Sequence, residues 1–124
     1  MDLTILVDTH LAAWTEPDPA RRAELIRLVW SPAGRLSDPP AEATGHDGLD
    51  AVFTALQAQF PGHRFRRTSG VDAHHGLLRF AWALGGPDGT AALTGLDVAA
   101  LDDGGRLVRV AGFFGDLPAI EVAA

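Results

Sequence analysis

The chain has 124 residues, of which 47% are hydrophobic and 21% are charged, and its formal net charge is -6. This length and composition are typical of one globular domain, and we treat residues 1–124 as a single domain. The negative charge argues against nucleic acid as a partner, because such binding depends on lysine and arginine contacts to phosphate. The absence of cysteine excludes disulfides, thiol catalysis and thiolate metal sites.

The first ten residues, MDLTILVDTH, carry acidic side chains where a signal peptide would carry basic ones. No stretch of the chain approaches the roughly 18 consecutive apolar residues that a membrane-spanning helix needs. We therefore expect a cytoplasmic protein that has no membrane partner. No sequence motif calls for a cofactor or a metal ion, and we expect neither.

Two helices are predicted at the start of the chain. Apolar residues recur at helical spacing over residues 2–15, and His10 shares their face, as a hydrogen-bonded core histidine would. Asp18 and Pro19 suit the N-cap and first position of a second helix, which runs to about Trp30.

A third helix is predicted after a short strand and loop over residues 33–45. Asp47 is expected to cap this helix, and Pro61-Gly62 is expected to end it. One stripe of the helix is apolar and should face the core; it contains Leu49, Val52, Phe53, Leu56 and Phe60.

The second half of the chain has the pattern of strands. Four strand-like segments are separated by the turn sequences SGVDA, GGPDG and DDGG, which predicts an antiparallel meander over residues 63–71, 74–84, 90–101 and 106–115. Three helices followed by consecutive strands indicate an α+β fold with helices on one face of the sheet. Neither face of segment 74–84 is strictly polar, so we expect a second subunit to cover the outer face in a homodimer.

Several motifs together carry a resemblance to a known family. They are Trp14 on the first helix, Trp30 at the end of the second, SDP in the next loop, GHDGLDAVFTAL, RFAWAL, and GLDVAALDDGGRLVRVAGFF. In this order they resemble the SnoaL-like branch of the nuclear transport factor 2-like superfamily, which also contains polyketide cyclases and ketosteroid isomerases. The resemblance implies a cone-shaped α+β barrel, or cystatin-like roll, whose curved antiparallel sheet wraps three helices around an apolar pocket.

The same resemblance implies two catalytic acids. Asp38, in SDP, matches the general base of the isomerases, and Asp97, in GLD, matches the protonated acid that donates a hydrogen bond to a developing oxyanion. Structural alternatives remain: Asp before Pro is a common turn residue, and Asp97 could face water at a sheet edge or pair with a cation, namely Arg79, His74 or His75. The isomerases also use a tyrosine donor, whereas this chain contains no tyrosine.

The predicted pocket should take a small, mainly apolar molecule with one carbonyl or hydroxyl, which an isomerase or cyclase would convert. The alternative is a non-catalytic ligand-binding or dimeric interaction module of the same fold. His74 and His75 point to opposite faces of a strand, so at most one can enter the pocket, and a metal site there would need His63 or Asp97 as well. The predicted binding residues are Trp14, Trp30, Phe60, His74, His75, Arg79, Trp82 and Phe113.

Overall fold

The computed structural model describes residues 1–122, so residues 123 and 124 of the predicted domain lie outside the described residues. Its helices are α1 (Leu3–Trp14), α2 (Pro19–Val29) and α3 (Gly45–Gln59). Its strands are β1 (Trp30–Asp38), β2 (Ala41–Thr44), β3 (Arg64–Arg67), β4 (Asp72–His74), β5 (Leu77–Gly85), β6 (Ala91–Leu101) and β7 (Leu107–Phe114).

The helix ends follow local capping chemistry, with one exception. The Asp18 side chain accepts hydrogen bonds from the backbone of the first turn of α2, as predicted. The predicted cap of α3 is wrong: this helix has Thr44 at its N-cap position without a side-chain hydrogen bond, and Asp47 lies inside the first turn. A carboxylate there still suits the positive end of the helix dipole.

The sheet has the strand order β2-β1-β7-β6-β5-β3, with β4 paired to β5. The meander from β3 through β5 and β6 to β7 is antiparallel, as predicted. Strand β1, however, runs parallel to β7, so the sheet is mixed rather than wholly antiparallel. Parallel strands need a long crossover, and the chain between these two strands includes α3 and most of the sheet.

Two predicted segments contain tight turns. Residues 33–45 form the hairpin of β1 and β2 instead of a strand and a loop, with Asp38 opposite Ala41 at its end. The predicted strand over residues 74–84 is interrupted by His75 and Gly76, whose φ angles are 49° and 75°. Positive φ at two successive residues is the geometry of a two-residue hairpin turn, which joins β4 to β5.

The helices pack on the inner face of the sheet, which confirms the predicted α+β layering. Alternate residues of β5 enter the core, and these are Leu78, Phe80, Trp82 and Leu84. The residues between them on the outer face include Leu77 and Arg79, which are exposed. Of the helices within residues 1–122, none combines the length and apolar character that a membrane crossing requires.

Candidate active site

A cavity of about 550 Å³ lies between the inner face of the sheet and the helices α1 and α3. Its wall is mostly apolar, and five aromatic rings contribute to it: Trp14, Phe60, Phe65, Trp82 and Phe114. Asp38 and Asp97 are the only ionisable side chains on this wall among residues 1–122. Two acids therefore meet an apolar space in which no basic side chain neutralises them.

The two acids approach each other because of the residue between them. Gly112 on β7 lies opposite Asp97 on β6, and the neighbouring strand β1 ends at Asp38. A Cβ atom built on Gly112 would lie 3.0 Å from Asp97 Oδ1 and 3.2 Å from Asp38 Cβ. Any larger residue at position 112 would therefore crowd both acids.

Asp97 is buried on the cavity wall, with only 6% of its surface exposed. The indole Nε1–H of Trp82 donates a hydrogen bond of 2.9 Å to Asp97 Oδ1. Burial raises the pKa of Asp97 to about 7, the Trp82 hydrogen bond lowers it in part, and the charge of Asp38 raises it further. This carboxyl group therefore changes its protonation state near neutral pH.

Asp38 is half-buried at the end of β1, beside the Pro39-Pro40 turn. Burial raises the pKa of Asp38 above its ordinary value, and the nearby backbone N–H of Ala41 lowers it in part. Its Oδ1 atom is buried and accepts no hydrogen bond from any described residue. Asp38 is thus part of the cavity wall rather than a fully solvated turn residue.

Trp14, Phe60 and Trp82 lie on the wall, but two other predicted aromatic residues do not. Trp30 is buried in the core, where it donates its indole N–H to His10 Nδ1 at 3.1 Å. Phe113 projects from the outer face of β7 and is 60% exposed. The cavity residue is its neighbour, because side chains alternate along a strand.

His74, His75 and Arg79 also lie away from the cavity, so the prediction that they bind a ligand there places them wrongly. The two histidines are exposed at the β4–β5 hairpin and contact each other. Arg79 is exposed on the outer face, where its Nε donates to Asp72 at 2.7 Å. None of the three pairs with Asp97, whose partner is an indole instead.

His10 is a core residue that does not line the cavity, in agreement with the prediction. Burial lowers the pKa of His10 to about 3, which keeps its ring neutral. Since Nδ1 accepts from Trp30, the proton resides on Nε2, which is buried and has no hydrogen-bond partner among the described residues. Within residues 1–122, no group of three metal-ligating side chains is placed to hold a metal ion.

Several residues of the wall are not among the predicted binding residues, including Phe65, Gly112 and Phe114. Period-two alternation gives a signal for Phe65, since it separates this residue from the exposed arginines on either side. Gly112 carries no such signal, because a glycine has no side chain whose hydrophobicity could place it on a face.

Neither a family model nor a curated protein sequence matches the chain. Solved structures do match it. A proposed isomerase of the SnoaL-like family from Agrobacterium tumefaciens is 36% identical, with 91% of this chain and 97% of that chain covered and a TM-score of 0.86.

Two further structures are similar in fold alone. A proposed SnoaL-like polyketide cyclase from Jannaschia is 18% identical, with 90% of this chain and 85% of that chain covered and a TM-score of 0.67. A nuclear transport factor 2-like protein of unknown function from Exiguobacterium is 17% identical, with 90% and 99% covered and a TM-score of 0.71. Given the 36% identity over nearly the full length of the Agrobacterium structure, the protein belongs to the SnoaL-like family.

Proposed function

We propose that the protein binds a small, mainly apolar molecule with one carbonyl group and moves a proton on it, as an isomerase or cyclase does. The observation that carries this proposal is that two acids share one wall of an otherwise apolar cavity. The names of the Agrobacterium and Jannaschia proteins, a proposed isomerase and a proposed polyketide cyclase, support the same class of reaction.

In this mechanism the two acids have different tasks. Asp38, the more exposed of the two, is the general base that removes a proton from the carbon next to the carbonyl. Asp97 is protonated and donates a hydrogen bond to the oxygen on which negative charge develops. Two neighbouring carboxyl groups resist ionising together, which favours one ionised acid and one neutral acid.

The test follows a proton on carbon directly. The probe is 2-tetralone in D₂O, whose loss of α-proton signal is measured by NMR with and without the protein. Asp38→Asn should slow the protein-dependent exchange by about 100-fold or more, the usual contribution of a general base. Asp72→Asn, a matched change of an exposed acid outside the cavity, should leave the rate unchanged.

Each result decides between two functions. An exchange rate that stays the same in Asp38→Asn would contradict the assigned base. Binding of 2-tetralone to the wild-type protein without any exchange would favour the alternative, a non-catalytic ligand-binding module. The absence of tyrosine is the observation behind this alternative, since a second acidic donor to the oxyanion is lacking on the wall formed by residues 1–122.

We also propose that the protein forms a homodimer through the outer face of its sheet. Leu96 on β6 lies directly opposite Phe113 on β7, and Val98 is the next outward residue on β6. All three side chains are exposed. A second copy of the chain would bury this continuous apolar surface, and apolar burial is the main favourable term in association.

A further inference from the structure

The hydrogen bond between Trp82 and Asp97 is a diagonal contact between strands β5 and β6. Trp82 on β5 is paired with Gly95, and Asp97 lies two residues further along β6 on the same face. The indole therefore lies over Gly95 and reaches along the strand to donate its N–H to Asp97 Oδ1 at 2.9 Å. A direct cross-strand contact would instead have paired Asp97 with Phe80.

Gly95 makes this diagonal contact possible, because it leaves room for the indole ring. A Cβ atom built on Gly95 would overlap the Cζ2 and Cε2 atoms of the Trp82 indole, and it would also meet the backbone oxygen of Phe113. A strand interior usually disfavours glycine, because glycine has no side chain to pack and loses more backbone entropy. Its presence here is explained by the close approach of the indole.

The indole is fixed on its other sides as well. Its ring packs edge-to-face against Phe65, at a centroid distance of 5.2 Å, and against Phe114, at 5.6 Å. Only 4% of the Trp82 surface is exposed. The direction of its N–H group is therefore determined by packing, not by the hydrogen bond alone.

An indole N–H can donate a hydrogen bond but cannot accept one. Because Trp82 donates to Oδ1, the proton of neutral Asp97 belongs on the other oxygen, Oδ2. Asp97 Oδ2 has no hydrogen bond to any described residue and is not among the fully buried unpartnered atoms. It is thus the oxygen that is left for a ligand in the cavity.

We infer that Trp82 is a positioning residue, which holds Asp97 through Oδ1 and leaves the proton on Oδ2, directed at the ligand. This inference rests on the proposed function for its use in catalysis, but its geometry exists without a substrate. Asp38 from β1 is the other titratable group that faces this cavity within the described residues. The neighbours of Asp97 on β5 and β7, Phe80 and Gly112, carry no charge.

The first experiment removes the N–H group and keeps an aromatic ring. In Trp82→Phe, the protonation midpoint of Asp97, followed by the ¹³C shift of its side-chain carboxyl, should rise by about one pH unit, because a hydrogen bond to the ionised form is lost. Trp30→Phe is the matched control: it loses an indole N–H that donates to His10 outside the cavity, and it should leave the midpoint unchanged. An unchanged midpoint in folded Trp82→Phe would overturn the inference.

A second measurement needs no variant. In the wild-type protein, the ¹H and ¹⁵N signals of the Trp82 indole N–H should shift with pH at the same midpoint as the Asp97 carboxyl. An indole signal that does not follow this titration would also overturn the inference. Neither measurement uses a ketone, so a positive result together with an absence of proton exchange would contradict the proposed function alone.

Discussion

Asp97→Asn should increase the free energy of unfolding above neutral pH. The folded-state pKa of Asp97 is about 7, whereas its ordinary value is 3.8. Between these values the folded state holds a proton that the unfolded state releases. The contribution of this group to the free energy of unfolding is therefore most favourable below pH 3.8, where the carboxyl is neutral in both states, and it falls as pH rises to about 7 because the folded state must then bury a charge. The shift corresponds to at most about 4 kcal/mol.

Asparagine removes the cost of burying an ionised carboxyl group, and it has nearly the same shape as aspartate. It has no charge to bury, and its side-chain oxygen can still accept the hydrogen bond from Trp82. The variant and the wild type should therefore have similar stability near pH 4, and the variant should be more stable by up to about 4 kcal/mol near pH 8.

His10 affects stability with the opposite sign. Its pKa falls from 6.5 to about 3 in the folded state, so its contribution is present above pH 6.5 and is lost as pH falls toward 3. Asp97 and His10 therefore act in overlapping pH ranges and partly cancel. The wild-type stability should vary little across that range, whereas Asp97→Asn should show the rising slope due to His10 alone.

The assay is urea unfolding, followed by tryptophan fluorescence, at intervals from about pH 4 to pH 8. Asp103→Asn, which changes an exposed acid in the turn between β6 and β7, is the control and should track the wild type at every pH. If the stability difference between Asp97→Asn and the wild type is the same at both ends of this range, the reasoning from burial is refuted.

Two further predictions concern the cavity mouth and the outer face. Ala55 is an exposed residue of α3 on the cavity wall, and Ala55→Trp should abolish binding of 2-tetralone, measured by calorimetry, while changing the free energy of unfolding by no more than about 1 kcal/mol. The control Ala58→Trp, on the same helix but off the wall, should bind 2-tetralone normally. Binding by both variants would contradict the assigned cavity. In sedimentation velocity, the wild type should be a dimer and Phe113→Asp should be a monomer. Leu117→Asp, a matched change of another exposed apolar residue, should remain a dimer. A monomeric wild type would rule out the proposed interface.

The sequence was sufficient to predict the helices and the alternation along the strands, because both depend on local periodicity. On β5, Leu78, Phe80, Trp82 and Leu84 are buried, as the pattern predicts, although Ala83 between the last two is buried as well. At His75, by contrast, the periodicity of the sequence is misleading. The hydrophobic pattern alone predicts a strand that runs without a break through His75 and Gly76. In the structure both residues adopt positive φ and form a hairpin turn instead.

A β-bulge, which the sequence pattern does not predict, determines that Phe114 rather than Phe113 faces the cavity. Next to the β6–β7 turn, Leu101 pairs with Leu107, and a regular ladder continued from there would place Phe113 on the same face as Asp97. The register instead shifts by one residue between Ala100 and Leu101, so Asp97 lies opposite Gly112. A shift of one residue turns every following side chain to the other face, which brings Phe114 into the cavity.

The short distance between Asp38 and Asp97 depends on contacts between segments that are far apart in the sequence. Asp97 and Gly112 meet within one hairpin, so their pairing could in principle be derived from nearby sequence. Asp38 joins them only because β1 runs parallel to β7, and no local pattern in the chain specifies which sheet edge a strand will pair with. The family resemblance pointed to Asp38, whereas periodicity alone would have left it as a turn residue before a proline. For this site, therefore, the tertiary pairing of β1 with β7 determines whether two separate carboxyl groups can act on one ligand.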